Sequence, residues 1–222
     1  MQKRLAFSLA LGCIVLSTTA HATTLTFDID GLGLQQMIPL AYGDHVGGGG
    51  AGDNPLFHYG PGGGATSHIG IDYWTNDTAD NPYDHELKFW STGYGDLTNV
   101  AYMSVTGGYG HLEFDPDPGY SVTINSFDFG DWLLDESGPL QIVDANKNVL
   151  WSDSSFTAPH IGHSSYLPDI TSSGPISIEW AHSWNMGIDN VSFSETPAPE
   201  PASMAALAFG ALALVRSRRR RS

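Results

Sequence analysis

Cysteine is nearly absent from this sequence. The only one, Cys13, lies in an apolar stretch close to the N-terminus. From residue 23 onward, therefore, no disulfide and no thiolate metal site can form within the chain. A domain without disulfides has to rely on its hydrophobic core or on bound ions for its stability.

Positive charge is also nearly absent from the long middle of the chain. Residues 23–195 contain no arginine and only two lysines, Lys88 and Lys147, against 23 Asp and Glu, which gives a formal charge of −21 with histidine neutral. Such a stretch repels nucleic acid and anionic lipid surfaces, so no nucleic-acid partner is expected. The negative charge is compatible with binding to divalent cations or neutral polymers. The alternative explanation is that the charge only keeps the protein soluble.

The N-terminus has the three parts of a secretory signal peptide. Lys3 and Arg4 precede an apolar run, and the small-residue triplet Ala20-His21-Ala22 follows it. This order predicts a signal peptide over residues 1–22, cut by signal peptidase between Ala22 and Thr23.

Long apolar runs are missing, and the C-terminal one is short. Met204–Val215 contains twelve uncharged residues, which as a helix would be about 18–20 Å long against a hydrocarbon core of about 30 Å. The arginine cluster after it would stay on the cytoplasmic side of the membrane. The run is thus a marginal transmembrane helix, with the rest of the protein outside.

The last 27 residues, 196–222, resemble the PEP-CTERM sorting signal, a region also called the ice-binding protein C-terminal motif. The resemblance lies in a Pro-Glu-Pro motif, a short apolar helix and an arginine cluster, in that order, although Ala198 stands where valine is common. It implies recognition by an exosortase, transient insertion in the inner membrane, cleavage near the motif, and delivery to the cell surface or extracellular matrix. The matching positions are Pro199, Glu200, Pro201, Arg218, Arg219, Arg220 and Arg221.

Residues 23–195 have the pattern of a single all-β domain. Short alternating segments separated by Gly- and Asp-rich turns predict a β-sandwich or jelly roll. In Tyr120–Phe129 the alternation slips by one residue, which predicts a bulge near Asn125-Ser126. Leu140–Trp151 predicts a hairpin, and the glycine-rich interval Tyr42–Ser67 predicts one or two surface loops.

The region Gly119–Ser194 resembles a galactose-binding-like jelly roll. The resemblance rests on Ser126-Phe127-Asp128, on the strand Val149-Leu150-Trp151 and on Ile188-Asp189-Asn190-Val191. It implies a structural calcium ion near the first and last strands, and in some members of the family a sugar-binding face.

The first candidate calcium ligands are Asp28 and Asp30 in the first strand and Asp189 in the last. Calcium takes six to eight oxygen ligands, and the first and last strands become neighbours if the chain termini meet. Asp115–Gly119 and Asn76–Glu86 are further acidic candidates. Ordinary solvent-exposed turns are the alternative, because Asp is a common turn residue.

Other side chains have weaker patterns. Trp184 and Tyr94 are candidates for an exposed ring face that stacks on sugars. His160 and His163 form a close pair, interpreted as part of a solvent-facing loop. Glu86, Glu113 and Glu179 could supply the carboxylate pair of a glycosidase, but no nucleophile elbow is present and no enzymatic activity is expected.

The sequence therefore predicts an exported protein of the cell surface or matrix that binds a carbohydrate, such as an exopolysaccharide, without catalysis. A structural matrix protein without a ligand is one alternative. A secreted glycan-active enzyme is another.

Overall fold

The computed structural model describes residues 21–78, 81–83, 87–103, 108–181 and 185–198. These residues form sixteen strands and one short 3-10 turn, Ala51–Asp53. The expected all-β class is confirmed, and the strands form a β-sandwich.

One sheet has eight strands, with the order β13-β8-β16-β1-β2 and with β14, β6 and β5 attached beside that path. Its strands are β1 (His21–Ile29), β2 (Phe57–Tyr59), β5 (Lys88–Trp90), β6 (Val100–Tyr102), β8 (Tyr120–Asp131), β13 (Ser164–Tyr166), β14 (Ile170–Ser172) and β16 (Met186–Pro197).

The second sheet has six strands in the order β11-β10-β15-β7-β3-β4. They are β3 (Ile69–Thr78), β4 (Asn81–Tyr83), β7 (Tyr109–Pro116), β10 (Leu140–Asp144), β11 (Val149–Asp153) and β15 (Ile176–Ala181). A two-strand ribbon of β9 (Glu136–Ser137) and β12 (Thr157–Ala158) completes the fold.

The core lies between the two large sheets and is rich in aromatic rings. Phe129 of β8 meets Trp180 of β15 with ring centroids 5.3 Å apart, and Phe114 of β7 meets Phe193 of β16 at 5.0 Å. All four side chains are fully buried. Inter-sheet contacts of this kind provide the apolar burial that a domain without disulfides needs.

The two longest strands, β8 and β16, pair along most of their length, from Met186 opposite Asp131 to Pro197 opposite Tyr120. The register shifts where Ser192 faces Ser126 and Phe193 faces Ile124, so Asn125 is the extra residue. The bulge expected near Asn125-Ser126 is confirmed. The β10–β11 hairpin is confirmed as well.

The glycine-rich interval is more structured than expected. It contains β2, which pairs with β1, and an isolated bridge between Val46 and Thr66. Tyr42 is fully buried, and its hydroxyl donates to the carbonyl of His58 at 2.9 Å. Gly43, with a φ of +85°, lies so close to Leu25 that a Cβ would collide with it. Tyr42, Val46 and Phe57 of this interval are buried, and the glycines let the backbone come close to the core.

The folded body extends beyond the expected boundaries of 23 and 195. β1 begins at His21, which faces Glu195, and β16 continues to Pro197. The Ala198 N–H then donates to the Gly119 carbonyl at 2.8 Å. Strand pairing therefore reaches the start of the C-terminal region.

No helix in the described part of the chain is long and apolar enough to cross a membrane. Residues 1–20 of the expected signal peptide 1–22, and the tail 199–222 with the expected apolar helix, lie outside the described residues.

Replacing Phe129 by alanine tests the importance of the aromatic core. We expect Phe129→Ala to lower the free energy of unfolding by about 3–5 kcal/mol, because it leaves a cavity next to Trp180 and Phe156. Leu167→Ala is the control, since Leu167 is 80% exposed and its loss should cost less than about 0.5 kcal/mol. Equal urea midpoints for the two variants would contradict the role assigned to Phe129.

Candidate functional site

A cleft opens in the eight-stranded sheet at the point where β16 changes its neighbour. Gly187 and Ile188 pair with β6, whereas the pairing with β1 begins at Val191. Neither β6 nor β1 pairs with Asp189 or Asn190, which lie between these two pairings. A cleft of about 490 Å³ lies at this gap. Its lining residues are Thr26, Asp28, Tyr59, Gly60, Pro61, Asp96, Leu97, Thr98, Asn99, His163, Asp189 and Asn190.

Irregular backbone positions direct the acidic side chains toward this cleft. Asn190 has a φ of +51° and lies in a bulge of β16, and Phe27 has a φ of +50° at a register shift in β1. Asn tolerates this left-handed region, but a bulky residue such as Phe seldom adopts it. Bulges redirect side chains, and these two lie directly beside Asp189 and Asp28.

Asp189 is the most buried acidic side chain of the cleft, with 4% of its surface exposed. Its Oδ1 accepts a hydrogen bond from the Asn190 N–H. Asp128 of β8 lies directly opposite Asp189 in the pairing of β8 with β16. Burial, together with the charge of Asp128, raises the pKa of Asp189 to about 8, because both effects disfavour the ionised carboxylate.

Asp128 is held in place by two donors. Asn190 Nδ2 donates to its Oδ2 at 3.0 Å, and Ser165 Oγ donates to its Oδ1 at 2.6 Å. Like charges directly opposite each other destabilise a sheet. When both groups are ionised, the pair of Asp128 and Asp189 is therefore a stability cost at the cleft.

His163 and Asp96 form an ion pair at the rim of the cleft, with Nδ1 and Oδ1 2.7 Å apart. The hydrogen bond raises the pKa of His163 and lowers that of Asp96. His160 does not line the cleft, and its backbone N–H donates to Asp135 at 2.8 Å. The two histidines thus have different surroundings.

Tyr59 is the aromatic side chain that lines the cleft, and it stacks on Tyr42 with ring centroids 5.2 Å apart. The expectation that Tyr94 offers an exposed ring is wrong, because Tyr94 is 1% exposed and packs against Tyr102 and Trp132. Trp184, the other expected stacking residue, lies outside the described residues.

The three expected calcium ligands do not come together as one set. β1 and β16 are neighbours as expected, and Asp28 and Asp189 line the same cleft. Asp30 instead lies 3.1 Å from His58 Nε2 in a surface ion pair. Across the described residues, no group of three His, Cys, Asp or Glu side chains is arranged to hold a metal ion. Calcium binding stays a prediction.

A second polar cluster lies on the six-stranded sheet around Glu179, which is 1% exposed. Lys147 Nζ lies 2.8 Å from its Oε1, and Gln141 Nε2 donates to its Oε2 at 3.0 Å. His111 Nδ1 is 3.2 Å away, with an angle too poor for a regular hydrogen bond. Burial raises the pKa of Glu179, but these three partners outweigh it and lower the pKa to about 2.

Glu113 and Glu179 lie diagonally on one face of β7 and β15, since Glu113 faces Ser177. Such neighbours have Cβ atoms about 7–8 Å apart. Burial and nearby acids raise the pKa of Glu113, whereas the pKa of Glu179 is lowered. Glu113 therefore favours the protonated form more than Glu179 does. Glu179, however, is covered and already paired, as expected for a structural ion pair. Glu86, the third candidate of this kind, lies outside the described residues.

The sequence pattern missed several cleft residues, among them Tyr59, Asp96 and Asn99. They come from loops and a short strand distant in sequence from Asp189, and no local pattern connects them. One signal was available: apolar residues alternate at Met186 and Ile188 but resume at Val191, which marks the bulge at Asp189-Asn190.

The comparisons with known proteins concern the C-terminal region. Residues 197–221 match the PEP-CTERM protein-sorting motif, which confirms the predicted sorting signal and includes its Pro-Glu-Pro and arginine positions. The motif indicates export, sorting to the cell surface and recognition by an exosortase. No curated protein matches the chain. The galactose-binding-like resemblance of the body and the ice-binding designation gain no support from these comparisons.

Replacing Asp189 by asparagine tests the cost of burying this carboxyl group. Its pKa is raised on folding, so its contribution to stability is full below about pH 3.8 and is lost as the pH rises through about 8. We expect Asp189→Asn to unfold at a higher temperature than the wild type at about pH 9, with a gain on the order of 1–3 kcal/mol. Asp169→Asn, an exposed control, should leave the pH profile unchanged. Parallel profiles for Asp189→Asn and the wild type would contradict the assignment.

Proposed function

We propose that this exported cell-surface protein is a non-catalytic binding module that takes a saccharide of the extracellular matrix into the cleft beside Asp189. The observation that carries the proposal is the composition of the cleft. Carboxylates, amides and hydroxyls from three separated parts of the chain meet there next to the ring of Tyr59.

This lining matches the chemistry of sugar recognition. A sugar ring offers hydroxyl groups that both donate and accept hydrogen bonds, and Asp, Asn and Thr side chains supply the partners. Tyr59 adds an apolar ring surface, while its hydroxyl group already donates to the Gly52 carbonyl and accepts from the Gly43 N–H. The volume of about 490 Å³ lies within the range of about 300–1,000 Å³ that is usual for small-ligand sites.

The sorting signal supports the same proposal. A protein sent to the cell surface by an exosortase works among extracellular polymers, and an acidic body avoids nucleic acid and anionic lipid. During export the tail would insert transiently in the inner membrane, with the arginine cluster on the cytoplasmic side.

The alternative functions have less support from the described residues. A glycan-active enzyme would need an accessible carboxylate pair, whereas Glu179 is buried and paired with Lys147. A structural matrix protein without a ligand would need no polar cleft. The binding test below can support this alternative, because one of its outcomes is that no ligand binds.

We expect the protein recovered from the surface of its native host to have lost both ends. It should begin at Thr23 and end near Pro199–Pro201, and intact mass spectrometry can measure both positions. A cut in that region leaves the β16 pairing and the Ala198–Gly119 hydrogen bond in place, so the sandwich stays folded. Recovery of extracellular protein with its complete tail would contradict exosortase processing.

Binding can be tested by titrating the exported protein with a panel of soluble matrix oligosaccharides in a calorimeter. At least one should bind, and Asp28→Asn should weaken that binding about tenfold, because a charged hydrogen-bond partner is worth about 1.5–3 kcal/mol. The matched control Asp169→Asn changes an exposed acid that does not line the cleft and should bind like the wild type. The proposal fails if no oligosaccharide binds, or if both variants weaken binding equally.

A further inference from the structure

The cleft has an unusual balance of charge. Asp28, Asp96 and Asp189 line it, and Asp128 lies directly opposite Asp189. Among the described residues of the lining, His163 is the one basic group, and it is already paired with Asp96. Neither lysine of the body lines the cleft: Lys88 belongs to β5 and Lys147 is paired with Glu179.

Asp189 also has an unused hydrogen-bonding oxygen. Its Oδ1 accepts from the Asn190 N–H, but no group in the described part of the chain donates to its Oδ2. The side chain is 96% covered and still lines the cleft. A largely buried carboxylate with a single backbone donor is costly to ionise, and the most effective further partner is a cationic N–H donor.

Asp128 cannot provide that partner. It carries the same charge, and its oxygens already accept hydrogen bonds from Asn190 and Ser165. The high pKa of Asp189 is in keeping with a site that lacks a cation. A ligand with a positive group would favour the ionised form of Asp189, pair with it and offset the repulsion from Asp128.

We infer that the saccharide bound in the cleft is an amino sugar with a free ammonium group, held by Asp189 with Asp28 nearby. This inference rests on the proposed function. Anionic sugars such as uronates are excluded by the like charges of the lining. Acetylated amino sugars have the same ring and hydroxyl groups but lack the charge.

The test compares four probes on the exported, processed protein at about pH 6, where a sugar amine is protonated. They are the tetramers of glucosamine, N-acetylglucosamine and galacturonic acid, and a tetralysine peptide, all at one ionic strength. We expect the glucosamine tetramer to bind at least about tenfold more tightly than its acetylated counterpart. The galacturonate tetramer should not bind.

Single substitutions then identify which residues cause the preference for the free amine. Asp189→Asn should lose most of the preference for the free amine, and Asp28→Asn should reduce it. Asp169→Asn should keep it, since this residue does not line the cleft. Circular dichroism on each variant confirms that the sandwich is folded, and the solvent-exposed Asp28 gives a variant in which folding is not at risk.

The outcomes separate this inference from the proposed function. Equal binding of the free and acetylated tetramers overturns the inference and leaves a saccharide-binding cleft. Equal binding of tetralysine and glucosamine tetramer, unchanged in Asp189→Asn, indicates general attraction to the acidic surface and also overturns it. If no saccharide from any class binds, the proposed function fails as well.

Discussion

The pairing of β8 with β16 is the interaction on which the rest of the structure depends. β16 lies between β8 on one side and β1 and β6 on the other, and β8 in turn carries β13 and β14. The same two strands place Phe129 and Phe193 in the core against Trp180 and Phe114 of the other sheet. β8 and β16 each change their neighbouring strands near a bulge, because a bulge alters the direction and the twist of the strand at that point.

The two acidic clusters show different solutions to the burial of a carboxylate. Glu179 is surrounded by Lys147, Gln141 and His111, so its charge is satisfied within the protein. Asp189 accepts from a single backbone donor within the described part of the chain, and it faces another acid. The first arrangement is complete within the protein, whereas the second leaves a partner to be supplied from outside, which is the kind of local cost that binding sites carry.

The position of the cleft along β16 also suits a protein processed at its ends. Asn190 and Pro197 are seven residues apart in the strand, or about 23 Å at 3.3 Å per residue. The first strand begins opposite the same end of β16, since His21 faces Glu195. Both predicted processing positions therefore lie toward one end of the strand pair, away from the cleft.

The sequence by itself determined the C-terminal sorting signal, the all-β class and local features such as the Asn125 bulge and the β10–β11 hairpin, because each depends on neighbouring residues. It also indicated that the strands of Asp28 and Asp189 are adjacent. The tertiary structure decided which side chains share the cleft: it brought Tyr59, Asp96 and His163 there, turned Asp30 to His58 and buried Tyr94. The reason is physical. Strand alternation fixes which face a residue occupies, but the gap between β6 and β1 beside Asp189 arises only when strands far apart in sequence pair.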